Sequence, residues 1–179
     1  MFNGKDLDGW VGATDQYEVK DGAIVCMPGK GGNLFAKDEY GDFVLRFEFK
    51  LPPGGNNGIA LRTPLDGHPA RDGIEVQVLD DSHPKYAKLK DFQYHGSVYK
   101  YVPAKRGFLR PVGEWNSQEI TYNGSEIQVI LNGTEILNAD LSEFKAKETA
   151  GIRKTKGHLG FAGHKDPVAF RNIRIKRLD

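Results

Sequence analysis

Residues 43–51 alternate between apolar and polar side chains, and this alternation constrains the fold more than any other feature of the chain. The apolar positions are Phe43, Leu45, Phe47, Phe49 and Leu51, with Arg46, Glu48 and Lys50 between them. A period of two over such a length is typical of a β-strand with one buried face. Residues 74–78 repeat the pattern, with Glu75 and Gln77 on the polar face. The sequence therefore predicts strands that are each covered on one side.

Short strand-like runs follow one another along the chain, and tight turns separate them. Further runs are 17–20, 23–26, 58–62, 118–122, 126–131, 134–137 and 168–178. Asn-Gly pairs at 123–124 and 132–133 and Asp-Gly at 21–22 are typical hairpin connections. The clearest helical signal is 140–147, where Asp140 and Glu143 fit a capping box. Many hairpin-linked strands predict an all-β jelly roll, a sandwich of two antiparallel sheets, in a single domain over residues 1–179.

Composition excludes several classes of protein. The formal net charge is +1, whereas a general nucleic-acid-binding domain is more basic, so we expect no nucleic-acid partner. The longest apolar run, residues 23–27, is far shorter than the roughly 20 residues of a membrane-spanning helix. Cys26 is the single cysteine, which excludes an internal disulfide, and its apolar neighbours predict a buried thiol. No signal peptide opens the sequence, so localisation stays unknown; a periplasmic or secreted form with its signal peptide removed is one alternative.

The polar faces of two central strands hold the strongest candidate site. Glu75 and Gln77 share one face of their strand, while Gly58, Ala60 and Arg62 share a face of the run 58–62. The glycine and alanine leave room for a ligand. If both faces point outward, we expect Arg62 to lie near Glu75 and Gln77. The alternative is a solvated sheet face with an Arg–Glu cross-strand pair.

Other side chains are candidates for ligand contact. His164 follows Gly163 at the end of a strand, which favours a position in a cleft. Tyr99 lies in an irregular segment that could wall a site, and Asn57 lies at a strand end. Trp115 begins a strand and could lie at a rim, although a tryptophan in a small sandwich is more often in the core. His95 stands in the run YHGSVY, and its role is open. None of the histidine pairs has the close spacing of a zinc motif such as HExxH.

Several segments occur in a recognisable order: FNGKDLDGW, EYGDFVLRFEFKLPPGGNNGIALR, GIEVQVLDD, GEWN, LNG and AFRNIRIKRL. Together they resemble the 3-keto-disaccharide (3-keto-glycoside) hydrolase domain family, from Phe2 to Leu178. The resemblance implies a concanavalin A-like jelly roll. It also implies that the polar residues of the family's cleft are Arg62, Glu75, Gln77 and His164.

The resemblance implies an enzyme that acts on sugars already oxidised at C3. A C3 ketone acidifies the C2 proton, so a base can remove it, the C1 substituent leaves by β-elimination, and the enone adds water. In this hypothesis His164 or Glu75 is the base, Arg62 stabilises the C3 oxyanion, and Gln77 contacts a sugar hydroxyl. In an alternative, a divalent cation held by Glu75 and His164 polarises the ketone.

Three other functions stay open from the sequence. The first is a noncatalytic carbohydrate-binding module of the same fold, because fold does not fix function. The second is an ordinary glycoside hydrolase, since Glu75-x-Gln77-x-x-Asp80 is similar to the E-x-D-x-x-E strand of laminarinase-like glycosidases. Strand parity, however, puts Asp80 on the face opposite Glu75. The third is a protein with only a scaffold role.

Overall fold

The computed structural model describes residues 1–144 and 150–178, which form two antiparallel sheets. The strands are β1 Trp10–Gly12, β2 Tyr17–Lys20, β3 Ala23–Cys26, β4 Gly31–Tyr40, β5 Phe43–Lys50, β6 Asn56–Thr63, β7 Ile74–Leu79, β8 Trp115–Asn123, β9 Glu126–Leu131, β10 Thr134–Asp140, β11 Gly157–His164 and β12 Ala169–Arg177. One sheet has the order β1-β4-β11-β6-β7 and the other β10-β9-β8-β5-β12-β3-β2. The predicted all-β jelly-roll sandwich is confirmed.

Helical structure is confined to short segments. An α-helix, α1, spans Pro69–Asp72, and 3₁₀ turns span Thr14–Gln16, Pro84–Tyr86, Asp91–Gln93, Leu141–Phe144 and Ala150–Arg153. The capped helix predicted over 140–147 is a 3₁₀ turn as far as Phe144, and the rest lies outside the described residues. No helix in the described part of the chain is long and apolar enough to cross a membrane.

The predicted strands agree with the structure because the period-two pattern and the turns act together. Asn132 and Gly133, both with positive φ, form the two-residue turn between β9 and β10. Between β8 and β9 the turn is Gly124–Ser125, one residue later than predicted. Strand β4 was missed, because it opens on two glycines and carries charges at 37–39 that hide its alternation.

Aromatic rings join the two sheets in the core. Phe161 of β11 stacks on Phe170 of β12, with ring centroids 3.9 Å apart, and Trp10 stacks on the other side of Phe161 at 5.5 Å. Cys26 is buried, as predicted. These contacts fix β11, the strand that ends at His164, against the opposite sheet.

Strand β7 departs from the half-exposed strand that its pattern predicts, since all six of its residues are buried. The segment 84–99 covers its outer face and also pairs with its free edge. Backbone bonds join Gln77 to Ser97 and Gly96, and the Tyr99 amide donates to the Glu75 carbonyl. The polar face of β7 therefore lines a small pocket instead of a wet surface.

Candidate active site

The register of β6 and β7 builds the floor of this pocket. Ala60 lies opposite Glu75 and Gly58 lies opposite Gln77, so two small residues share a face with the two polar ones. A Cβ atom at Gly58 would stand 2.1 Å from Glu75 Oε1, a distance that the carboxylate excludes. The absence of a side chain at position 58 therefore leaves room for the Glu75 side chain next to β6.

Loops close the pocket around this floor. The cavity measures about 250 Å³, and its lining residues are Asn56, His68, Ala70, Glu75, Gln77, Leu79, Tyr86, Leu89, Gln93, Tyr99 and His164. This volume lies below the range of about 300–1,000 Å³ of typical drug-sized ligand sites, so the pocket suits one sugar ring better than a long chain. Glu75, Gln77, Tyr99 and His164 are brought together here, as the sequence predicts.

The Glu75 carboxylate is the single acid among the described lining residues of the pocket, and its pKa is strongly shifted. Burial raises the pKa of Glu75 to about 7, and the charge of Lys100 offsets part of this rise. Within the described residues its carboxylate accepts no hydrogen bond, and His164 Nε2 lies 4.0 Å from Oε1. A carboxyl group with this pKa exchanges protons readily near neutral pH, as a general acid or base does.

The other pocket groups are partly fixed by hydrogen bonds. Burial lowers the pKa of His164, while Asp166 nearby opposes this shift. Gln77 Nε2 donates to Asn56 Oδ1 over 2.7 Å, which leaves one N–H of the amide free for a ligand. The Tyr99 hydroxyl accepts from Gln93 Nε2 over 3.4 Å and keeps its own proton for another acceptor. The pocket thus offers a base, an imidazole and two hydrogen-bond donors.

Arg62 does not lie in this pocket, so its expected place beside Glu75 and Gln77 is wrong. The pairing of β11 with β6 shifts register between His158 and Gly160, and Arg62 in that interval has a φ of 47°. Such an irregularity breaks the alternation of side chains and turns Arg62 between the sheets. Its guanidinium lies 3.7 Å from the ring centre of Tyr122.

The Arg62 guanidinium is satisfied by the protein itself. It donates to the carbonyls of Gly41, Gly124 and Lys154 over 2.9 to 3.1 Å, and to Asp42 Oδ1 over 2.7 Å. Four of its five N–H donors are used in this way, its side chain is 2% exposed, and it does not line the Glu75 pocket, so it is not placed to stabilise the C3 oxyanion of a sugar there.

Asn57 and His95 are also outside the pocket, which corrects both expectations of substrate contact. Asn57 pairs with Val78 and faces the core, opposite to Gly58, and it is fully buried. His95 stacks on Phe49 with centroids 5.0 Å apart, and its Nε2 lies 3.0 Å from Gln118 Oε1. Burial lowers the pKa of His95 to about 4, so it is neutral at pH 7.

Trp115 lies on the other sheet, so its expected role at the sugar rim is not supported by its position. Lys50 Nζ lies 4.9 Å from the centre of its ring and the Arg171 guanidinium carbon 3.9 Å. It is neither the buried core residue of the alternative interpretation nor a wall of the Glu75 pocket.

The sequence did not identify His68, Tyr86, Gln93 or Asn56 as pocket residues. His68 precedes Pro69 in a loop, which is typical of a surface residue, and it is exposed. Its Nδ1 accepts from the Ala70 amide and caps α1, which brings the ring to the pocket rim. The Asn56 side chain could have been inferred from its place at the start of β6, two residues before Gly58.

A divalent cation between Glu75 and His164 would have these two protein ligands. In the described part of the chain there is no group of three or more His, Cys, Asp or Glu side chains that could hold a metal ion. Catalytic zinc sites commonly use three protein ligands, so these two donors do not fit that pattern. We therefore derive no step through a cation.

Comparison with known proteins places these observations in context. The family model of the 3-keto-alpha-glucoside-1,2-lyase-like domain matches residues 1–176. A 3-keto-disaccharide hydrolase from Bacteroides thetaiotaomicron is 29% identical over 225 aligned positions, which cover 100% of this chain and 78% of the relative. A solved structure of a proposed glycosyl hydrolase from Parabacteroides distasonis superposes with a TM-score of 0.86 at 28% identity, covering 97% of this chain and 96% of the other.

A more distant structure shares the fold alone. The carbohydrate-binding module CBM66 from Bacillus subtilis has a TM-score of 0.67 at 11% identity, and the match covers 94% of this chain and 95% of the module.

Proposed function

Because this chain belongs to the 3-keto-alpha-glucoside-1,2-lyase-like domain family, we propose that its Glu75 pocket cleaves glycosides that carry a ketone at C3. Both the family and the name of the 29% identical relative support action on such sugars. The observation that carries the proposal is the single, buried carboxyl group of the pocket. Glu75 is the single carboxylate among the described lining residues, and its pKa is raised to about 7.

A single carboxylate disfavours an ordinary glycoside hydrolase. Such enzymes use two carboxyl groups, one on each side of the scissile bond. The second acid that the sequence offered is Asp80, whose carboxylate accepts from the Gly54 amide and from Ser82. Asp80 is not among the lining residues of the Glu75 pocket. Elimination next to a ketone needs one base instead of a carboxylate pair.

In the proposed reaction the Glu75 carboxylate removes the C2 proton, and the electron pair of the C2–H bond forms an enolate with the C3 oxygen. The enolate then re-forms the ketone as the C1–O bond breaks, which leaves a C1=C2 double bond. The departing oxygen takes a proton from the imidazolium form of His164, which lies 4.0 Å from the base. Because burial lowers the pKa of His164, this form is a stronger acid than a free imidazolium. The neutral imidazole then takes the proton that Glu75 removed from C2, so both groups return to their starting states. Water then adds across the double bond, with oxygen at C1 and a proton at C2, to give the free 3-keto sugar.

Two further side chains support the enolate in this proposal. The free N–H of Gln77 and the hydroxyl proton of Tyr99 are two of the pocket donors that have no acceptor among the described residues. Donors aimed at an oxygen where negative charge develops lower the barrier of such steps. In this proposal Gln77 and Tyr99 stabilise the C3 oxyanion, a role that the sequence analysis gave to Arg62.

The test is incubation of the protein with methyl 3-keto-α-glucopyranoside in D₂O, with mass spectrometry of the products. We expect methanol release, free 3-keto-glucose and deuterium at C2. Glu75→Gln is expected to lower the rate by about 10²- to 10⁴-fold, the usual contribution of a general base. Glu18→Gln makes the same change at an exposed strand position and should leave the rate unchanged. An active wild type whose Glu75→Gln variant exchanges C2 at the same rate would refute the assignment of the base.

A further inference from the structure

A second cavity lies beyond the end of β7, and we call it the Arg106 cleft. It measures about 590 Å³, and its lining residues are Leu51, Asp80, Asp81, Ser82, Arg106, Gly107, Leu109, Arg110, Pro111, Val112 and Asn116. It is more than twice as large as the Glu75 pocket and shares none of that pocket's lining residues. The reaction proposed above uses no group of this cleft.

The loop that forms one wall of the cleft is held in a fixed conformation. Asn116, which is buried, accepts a hydrogen bond from the Arg110 amide over 2.8 Å. Asn132 Nδ2 donates to the Phe108 carbonyl over 2.8 Å and to Asn116 Oδ1 over 2.9 Å. The Gly113 amide donates to the Leu51 carbonyl. Long loops without regular structure are commonly functional, and a preorganised one binds a ligand with little loss of entropy.

The guanidinium of Arg106 is fixed in position but keeps its donors free. It lies flat over the ring of Tyr94, with its central carbon 3.5 Å from the ring centre. Stacking of this kind leaves the in-plane N–H groups available. Its ionic contact is Asp81 Oδ2 at 3.9 Å, which is beyond hydrogen-bond distance. Arg110 uses Nη1 for a bond of 3.3 Å to the Trp115 carbonyl, and its other donors have no acceptor among the described residues.

Asp81 supplies an acceptor that the protein satisfies only in part. Its Oδ1 accepts from the His95 amide over 2.9 Å, while Oδ2 has only the distant Arg106 contact. Burial raises the pKa of Asp81, as expected for a carboxylate with too few partners. A ligand donor at Oδ2 would complete its hydrogen bonding.

Apolar side chains complete the cleft. Leu109, Pro111 and Val112 form part of the wall. Val112 is 39% exposed, and Phe108 on the same loop is 38% exposed. These two are among four exposed large hydrophobic residues in the described part of the chain. Exposed apolar groups beside uncommitted polar ones are typical of a ligand site.

We propose that the Arg106 cleft is a second binding site, separate from the Glu75 pocket, and that its ligand is a neutral saccharide. Two arginines repel a cationic ligand, and Asp80 and Asp81 repel an anionic one. Sugar hydroxyls both donate and accept, so they match Asp81 and Arg106 at the same time. The C–H face of a sugar ring matches the apolar wall around Val112.

The experiment is titration of the ¹⁵N-labelled protein with maltose and with cellobiose, followed by two-dimensional NMR. We expect shifts of the backbone signals of Asp81, Gly107 and Leu109. Arg106→Ala should weaken binding about tenfold or more, as the loss of a charged hydrogen bond does. Arg46→Ala removes an arginine that is 62% exposed, against 48% for Arg106, and that lies on β5 outside the cleft, so it should leave binding unchanged.

The same titration distinguishes binding at the Arg106 cleft from the reaction proposed for the Glu75 pocket. Binding at the cleft should persist in Glu75→Gln, whether or not the protein cleaves 3-keto-glycosides. Absence of shifts at the cleft with both disaccharides would overturn the proposal, as would shifts confined to Gly58 and Gln77. Stronger binding of glucuronate or glucosamine than of maltose would show that the site selects charge, which would also overturn it.

Discussion

Glu75 and Arg62 lie on neighbouring strands, and both are buried charged residues, but their surroundings differ completely. The Arg62 guanidinium donates to three backbone carbonyls and to Asp42, and it packs on Tyr122. The Glu75 carboxylate accepts no hydrogen bond from the described residues and opens into a cavity. The Arg62 guanidinium is therefore surrounded by hydrogen-bond acceptors, whereas the Glu75 carboxylate has no hydrogen-bond donor among the described residues.

This difference separates a structural residue from a functional one. A buried polar group without partners destabilises the fold, whereas a fully hydrogen-bonded one is tolerated or stabilising. A protein that keeps an unpartnered carboxylate beside a cavity therefore has a reason outside its stability. By this criterion we assign Arg62 to the fold and propose Glu75 as a residue of the site, although the sequence places both on polar strand positions.

The largest expected effect is on catalysis, and it should separate the two residues. Glu75→Gln is expected to lower kcat/KM for a 3-keto-glucoside by about 10²- to 10⁴-fold. Arg62→Met should keep kcat/KM within about threefold when rates are normalised to folded protein, which circular dichroism measures. If Arg62→Met lowered kcat/KM as much as Glu75→Gln does, Arg62 would have a catalytic role after all.

The second effect is on stability, where we expect the Arg62 substitution, and not the Glu75 substitution, to be the damaging one. Arg62→Met should lower the free energy of unfolding by about 3 kcal/mol, because it leaves Asp42 and three carbonyls without their donor. Urea unfolding at pH 7 measures this change. Arg46→Met, at a side chain 62% exposed, serves as the control and should stay within about 0.5 kcal/mol. A loss below about 1 kcal/mol for Arg62→Met would contradict the role as a structural clamp.

The third effect is a gain in stability from removing the Glu75 charge, and it depends on pH. The pKa of Glu75 is about 7 in the folded protein, against 4.5 as its ordinary value. Between these values the folded state binds more protons than the unfolded state, so the Glu75 contribution to stability falls as pH rises and reaches its full cost above pH 7. Glu75→Gln should therefore be more stable than wild type by about 3 kcal/mol at pH 8, and by much less at pH 4.5. Thermal unfolding at the two pH values tests this; equal differences would exclude the raised pKa.

The smallest effect concerns His164, which shares the pocket with Glu75. If His164 protonates the departing oxygen, His164→Ala should slow release of methanol by about tenfold or more. It should slow release of 4-nitrophenolate much less, because that group leaves without a proton. Parallel assays with the methyl and 4-nitrophenyl 3-keto-glucosides measure the ratio. Equal loss with both substrates would assign His164 to substrate positioning.

Much of the fold could be predicted from the sequence, because strand periodicity and turn residues are local signals. The pairing of Glu75 with Gln77 on one face follows from strand parity alone. The same parity excludes Asn57, since it is adjacent to Gly58 and must point to the opposite face. The strand-end position of His164 also pointed to a cleft.

The rest depended on contacts that sequence periodicity does not encode. Arg62 turns inward where the register of β6 and β11 shifts, and such an irregularity has no reliable local signal. His95 lies in an irregular segment, and its partners Phe49 and Gln118 are distant in the chain. His68 reaches the pocket through the short helix that it caps.

The segment 96–99 that pairs with the edge of β7 serves two purposes at once. Tyr99 lines the Glu75 pocket, and the backbone of the segment pairs with the outer edge of β7, the last strand of the five-stranded sheet. An outward movement of this segment would expose the unpaired backbone groups of β7, to which a strand of another molecule could pair. Entry of substrate by such a movement would therefore expose this edge to association with another chain.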